Sequence, residues 1–204
     1  MSRGQPISSR FNIALVVSIV CLTSPACVEV KPAVDTSMDN RAESEAIAKE
    51  LRKSAEAGDA SAQNRLGLLY DEGKGVPQDY RQAKEWFEMA AKQEHAGAQV
   101  NLGTLYLHGH GAPQSAQMAL FWFNRSAEQG DALAFAKLGL MYAQGRGVLQ
   151  NFILAHKWYN LSAAHGEQRA AEARDALAQQ MTPAQIAEAQ QLAREWKPKD
   201  TKDK

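Results

Sequence analysis

The side chains that could do chemistry are few and far apart. His108 and His110 stand two residues apart in a glycine-rich turn and could both touch one metal ion. A closed metal site needs further ligands and a second shell to hold them, and this turn offers neither, so no metal is expected. His95, His156 and His165 are scattered and are expected to be solvated. Gly73-Lys74-Gly75 resembles a fragment of a phosphate-binding loop. Such a loop needs Gly, four residues, then Gly-Lys-Ser/Thr, and that order is missing. The pairs Trp86-Phe87, Trp122-Phe123 and Trp158-Tyr159 could stack against a sugar or a base. They recur at one helical phase beside alanines, which is the mark of a core. No nucleophile–base motif is present, and no carboxylates are paired at helix spacing in apolar surroundings that would raise a pKa. The residues point to no cofactor and no enzyme.

What remains is the framework that holds these residues, and it repeats. Leu66-Gly67, Leu102-Gly103 and Leu138-Gly139 are each 36 residues apart, and eleven positions are identical in three copies. In the first copy they are Ala60, Ala62, Leu66, Gly67, Tyr70, Gly73, Gly75, Gln78, Ala83, Trp86 and Ala91. Ala62, Leu66 and Tyr70 recur every four residues and share one helix face; Ala83, Trp86, Phe87, Ala90 and Ala91 do the same in a second helix. Asp59 and Asp131 are N-cap residues for the first helix of their copies. Asp79, Ser115 and Asn151 occupy one repeat position before the second helix, and each can accept a bond from an orphan backbone N–H. Gly67, Gly103 and Gly139 fall mid-helix, where glycine costs about 1 kcal/mol against alanine. A cost incurred three times implies a benefit, the close approach of a neighbouring helix. Gly73 and Gly75, with their counterparts, end the first helix where positive φ is needed.

These residues resemble the Sel-one-like repeat family, relatives of the tetratricopeptide repeats. The family pattern runs Ala-x-x-x-Leu-Gly-x-x-Tyr, Gly-x-Gly-Val, an acid, then Ala-x-x-Trp. Residues 62–97, 98–133 and 134–169 follow it, with Glu94, Ala112 and Leu149 as departures. The resemblance implies an all-α fold: a right-handed α-α superhelix (solenoid) of three 36-residue helix-turn-helix repeats with N- and C-terminal capping helices.

The ends divide accordingly. Arg3, Arg10 and the apolar run Phe11 to Leu22, followed by small residues before Cys27, read as a signal peptide over 1–26. Removing it takes away two arginines and leaves a net charge of −2 in a chain that is formally neutral. Cys27 would then be the first mature residue and a candidate for lipidation, although Thr23 to Ala26 match a lipobox poorly. The only other cysteine is Cys21, so the mature domain has no disulfide. Residues 27–38 form a tether, 39–59 an N-terminal capping helix, 60–169 the three repeats, 170–196 C-terminal capping helices and 197–204 a disordered tail. Ile47, Leu51 and Ala55 stand 36 residues before Ala83, Phe87 and Ala91. Thr182-Pro183-Ala184-Gln185 is a helix start, and Ile186, Ala189, Ala193 and Trp196 give that helix its apolar face.

Neutral net charge without a basic stripe argues against nucleic acid. No apolar run reaches the roughly 18 residues of a spanning helix. Alignment with the tetratricopeptide groove implies a concave face lined by Asn64, Leu68 and Asp71, by Val100, Thr104, Leu107 and His108, and by Ala136, Leu140 and Ala143. These positions vary between copies while the packing positions do not. Leu68, Val100, Leu107 and Leu140 would anchor an apolar helix face or extended segment of another protein, or else pack between repeats. The expected function is a non-enzymatic protein-binding scaffold or regulator in the bacterial periplasm or cell envelope. The alternatives are a secreted effector engaging host proteins and an enzyme acting on cell-wall or β-lactam-like substrates. The last is disfavoured because such relatives carry a disulfide in each repeat.

Overall fold

Each copy becomes two helices because start and stop signals flank both. In a computed structural model that describes residues 36–199, α1 is Thr36–Glu56. Then α2 (Ala60–Glu72) pairs with α3 (Tyr80–Lys92), α4 (Ala96–His108) with α5 (Ala116–Glu128), and α6 (Ala132–Gln144) with α7 (Phe152–Ala164). Last come α8 (Gln168–Ala178) and α9 (Pro183–Glu195). The presumed signal, Cys27, most of the tether and residues 200–204 lie outside the described residues.

Asp59 and Asp131 accept bonds from the first-turn N–H groups of α2 and α6, and Asp79, Ser115 and Asn151 do so for α3, α5 and α7. His95 holds the equivalent place before α4, where its Nδ1 accepts from the Ala98 N–H at 3.2 Å. The expectation of a solvated His95 is thus corrected: the ring is a cap. Gly73, Gly109 and Gly145 end the first helices at φ 70°, 76° and 65°. Where Gly58, Gly130 and Gly166 close the second helices and α1, Glu94 takes the same left-handed backbone at φ 63°. Its carboxylate is paired with Arg125.

The invariant glutamine, to which the sequence assigned no role, clasps the loop. The side-chain amides of Gln78, Gln114 and Gln150 donate to the carbonyls of Asp71, Leu107 and Ala143 at 2.7, 2.9 and 2.8 Å. These acceptors lie in the last turns of the first helices, where carbonyls lack intrahelical partners.

Packing explains the mid-helix glycines. A Cβ on Gly67, Gly103 or Gly139 would stand 2.6, 2.7 or 2.6 Å from the ring of Phe87, Phe123 or Tyr159. The aromatic ring of the second helix lies directly on the first helix backbone. Burying such a ring contributes roughly 1.5–3 kcal/mol, more than the helix cost of glycine. The second glycine of each turn has a different neighbour. A Cβ on Gly75 would run into the Ser44 carbonyl of α1, and one on Gly111 into that of Tyr80. On Gly147 it would meet Ala116 at 2.8 Å. Ser44, Tyr80 and Ala116 are themselves 36 residues apart: the second and third turns rest on the first residues of α3 and α5, and the first turn rests on the equivalent point within α1.

The result is a solenoid in which consecutive helices pack in order from α1 to α8. Helix α1 supplies the missing second helix before the first repeat. It begins three residues earlier than expected and turns Ala48 and Ala55 inward, while Ile47 is 43% exposed and Leu51 partly buried. At the far end α8 packs on α7. α9 opens with the Thr182 capping box and packs chiefly on α7, burying Ala189 and Ala193. Lys197–Lys199 do not start a loose tail: the Lys199 N–H donates to the Glu128 carbonyl at 2.8 Å.

Candidate functional site

The expected inner face is carried by α2, α4 and α6, whose other sides are taken up by Leu66-Gly67, Leu102-Gly103, Leu138-Gly139 and the rings upon them. His108 is exposed. Asn64, Leu68, Asp71, Thr104, Ala136, Leu140 and Ala143 are all partly buried. Val100 and Leu107 do not belong to an open face. They are 5% and 3% exposed and pack in one cluster with Phe135, Leu138 and Met141 of α6. Seven residues apart, they lie two turns apart on one side of α4, and that side is the seam with the next repeat. In the first copy the same two positions are Asn64 and Asp71, and Asn64 accepts a bond from Asn101 of α4 at 2.9 Å. Leu68 leans on the first core cluster, and Ala136, Leu140 and Ala143 lean on the third. Thr104 donates to its own helix, at the Val100 carbonyl. The face is therefore more polar than the sequence implied, with apolar ground at its two ends.

Its ionisable groups gather at the C-terminal ends of these helices. Burial raises the Asp71 carboxyl, nearby His110 pulls it down, and Glu72 pushes it up again. His108 is lowered, first by burial, then by His110, Arg146 and Lys137. The two histidine rings are 5.8 Å apart, and His110 stacks on Tyr80 of the preceding repeat at 4.4 Å. Among the described residues no three His, Cys, Asp or Glu side chains are grouped as a metal ion would require. One regularity is easily passed over in the sequence. The residue between the paired glycines is basic in every copy: Lys74, His110 and Arg146. Arg146 reaches back to the Leu107 carbonyl at 3.4 Å.

Of the remaining histidines, His156 departs from the expectation of solvation and His165 does not. His156 is only 2% exposed, and its Nδ1 has no protein partner. It lies on α7 near Arg174 and Asp175 of α8, and burial lowers its pKa. His165 is exposed but lies 5.6 Å from the Phe135 ring. The aromatic pairs divide as packing demands. Phe87, Phe123 and Tyr159 are buried, and Trp86, Trp122 and Trp158 are partly buried against core clusters.

No helix among the described residues is long and apolar enough to cross a membrane. No curated protein matches the chain. Several solved structures do, two of them as follows. A protective antigen of uropathogenic Escherichia coli strains displaying an SLR fold is 27% identical, with a TM-score of 0.55 over 72% of this chain and 39% of that one. A Sel1 repeat protein from Oxalobacter formigenes is 33% identical, with a TM-score of 0.53 over 64% of this chain and 56% of that one. The chain thus spans well under two thirds of either structure. The Sel1 repeat pattern matches residues 60–95, 96–131 and 132–167, two residues earlier in phase than the copies marked out from sequence and just over half of the chain. The chain belongs to the Sel1 repeat family.

Proposed function

We propose that this protein is a non-enzymatic scaffold or regulator of the bacterial cell envelope that holds a client protein on the inner face of α2, α4 and α6. Sel1 repeats generally build protein–protein interaction scaffolds and are typically without catalytic activity. The observation that carries the reading is the contrast between rows of the same helices. Leu66, Leu102 and Leu138 are identical and sealed, whereas two residues on, the row Leu68, Thr104 and Leu140 changes to a polar residue in the middle copy and stays partly open. A row free of the packing rule can be shaped to a client, and a mixed row with leucines at its ends suits an amphipathic helix or extended segment. Export, through the signal over 1–26, is part of this proposal, with a periplasmic or secreted product, or a membrane-held lipoprotein if Cys27 is acylated. An effector acting on host proteins would use the same face.

Leu68→Arg with Thr104→Arg tests the face, since neither site is sealed. The variant should keep its helical circular dichroism and lose the partner that the wild type captures from envelope extracts. A folded variant that captures the same partner equally well would remove this face from consideration. Fractionating cells into medium, periplasm and membrane separates the three fates, and a protein retained in the cytoplasm would end the envelope proposal.

A further inference from the structure

The last described residues fold back onto the repeats. Beyond α9, Trp196 is extended (φ −68°, ψ 137°) and lays its ring edge-on to Phe135 with centroids 4.9 Å apart and 6.5 Å from Trp158. Phe135 is itself stacked on Trp158 at 5.7 Å. Two residues on, Pro198 stands beside Gly130, in the turn between the second and third repeats, where a Cβ on the glycine would come 4.0 Å from the proline Cγ. The Lys199 N–H then donates to the carbonyl of Glu128, the last residue of α5, and its ammonium stands 3.5 Å from the Glu128 carboxylate. An aromatic anchor, a proline contact, a main-chain hydrogen bond to an orphan helix-end carbonyl and a cation at the negative end of a helix together make a recognition pattern for a short extended segment.

The other repeats serve as internal controls. At the places of Phe135 and His165 the first copy has Gln63 and Gln93, and the second has Gln99 and Gln129. There the glutamine of the second helix donates to that of the first at 2.8 Å in both copies. Gln63 and Gln99 also donate to the carbonyls of Ala55 and Ala91. The third copy alone replaces this polar clasp with Phe135 and His165, at the place where the tryptophan lands. The repeat fold does not need an aromatic there, because two copies close the same junction with amides.

We propose that the junction of the second and third repeats is a docking site for an extended segment carrying an aromatic residue, a proline two residues later and a lysine next to it, and that Trp196–Lys199 fill it in cis as an exchangeable strap. The partner class is a protein with that segment in an unfolded terminus or linker. The site lies apart from the inner face and does not depend on it. A tethered segment competes at an effective concentration on the order of millimolar. An outside segment of ordinary peptide affinity therefore meets a mostly closed site, and it gains access when it is abundant or binds better than the strap.

The test uses the full chain and a labelled synthetic peptide of residues 192–199. Trp196→Ala opens the site without touching its walls. The peptide should bind this variant at least about tenfold more tightly than it binds the wild type, by fluorescence anisotropy, because the cis competitor is gone. Placing Phe135→Gln in the Trp196→Ala background, which restores the residue of the other copies, should abolish binding with circular dichroism unchanged. A peptide carrying alanine for its tryptophan should not bind. Equal binding to wild type and Trp196→Ala, binding indifferent to Phe135→Gln, or no binding to the folded Trp196→Ala chain at about 1 mM would each overturn the proposal. Hydrogen exchange on the unaltered protein gives an independent check. The Lys199 amide should exchange by local opening, far faster than amides of α6. Exchange of Lys199 only with global unfolding would mean a permanent cap rather than an exchangeable strap.

Discussion

Gly109 and Gly111 look interchangeable in sequence and are not so in space. Both have positive φ, so an alanine at either incurs about 1–2 kcal/mol for left-handed backbone. At Gly109 a new Cβ comes 3.2 Å from the Gln114 Cβ and 3.4 Å from its backbone nitrogen, so the loop must give by only a few tenths of an ångström. At Gly111 it meets the backbone of Tyr80, which cannot shift, and overpacking adds about 1–3 kcal/mol. Urea denaturation should therefore show Gly111→Ala well below Gly109→Ala in stability; equal losses would mean that the turn does not rest on the preceding helix. His156 makes the second prediction at this scale. Its folded pKa is lowered, first by burial and then by Arg174, with Asp175 opposing. The unfolded chain then binds a proton that the folded chain refuses, and stability falls as pH drops through the ordinary histidine range near 6.5, with no effect above it. His156→Leu, which copies Leu120 of the second repeat, should flatten the part of the stability profile between about pH 7.5 and 5 that is due to this ring. An unchanged slope in the variant would assign the acid sensitivity to other groups.

A helix pair, rather than a helix, is the unit that the glycines serve. By propensity alone Gly103→Ala should stabilise α4 by about 1 kcal/mol. In the pair its Cβ would lie 2.7 Å from the Phe123 ring and 3.2 Å from the Ala119 carbonyl, and overpacking costs about 1–3 kcal/mol. We expect a net loss of about 1–2 kcal/mol in thermal or chemical denaturation; a gain would show that the ring can step aside. The element boundaries were largely legible because caps act locally: Asp59, Asp79, Ser115, Asn151 and Thr182 each bond to an N–H two or three residues on, and a local rule is visible in a local string. His95 was not legible as a cap since its ring nitrogen does what an oxygen usually does. On α1 the expected face held at Leu51 and Ala55 and departed only at Ile47, which gives its place to Ala48.

Solenoids transmit little beyond nearest neighbours, and that governs how this molecule should fail. Ala55 is buried in a cluster with Leu66, Tyr70 and Phe87, and nothing in that cluster belongs to α6 or beyond. Ala55→Arg, which forces a charge into this cluster, should strip protection from the amides of α1 to α3 in hydrogen exchange while α6 to α9 stay protected. Loss of protection along the whole chain would reveal one cooperative unit instead of a ladder.

Taken alone, the order of amino acids determined the period, the helix pairs, the caps and the membership of a repeat family, because those depend on interactions within one 36-residue copy and are written three times. Only the tertiary structure decided what lies between copies. It turned Val100 and Leu107 from open anchors into a sealed seam, since whether a side chain seven residues from another faces solvent or the next repeat depends on how far each hairpin rotates against its neighbour. It also brought Trp196 back 61 residues to Phe135, a contact for which no local spacing rule exists.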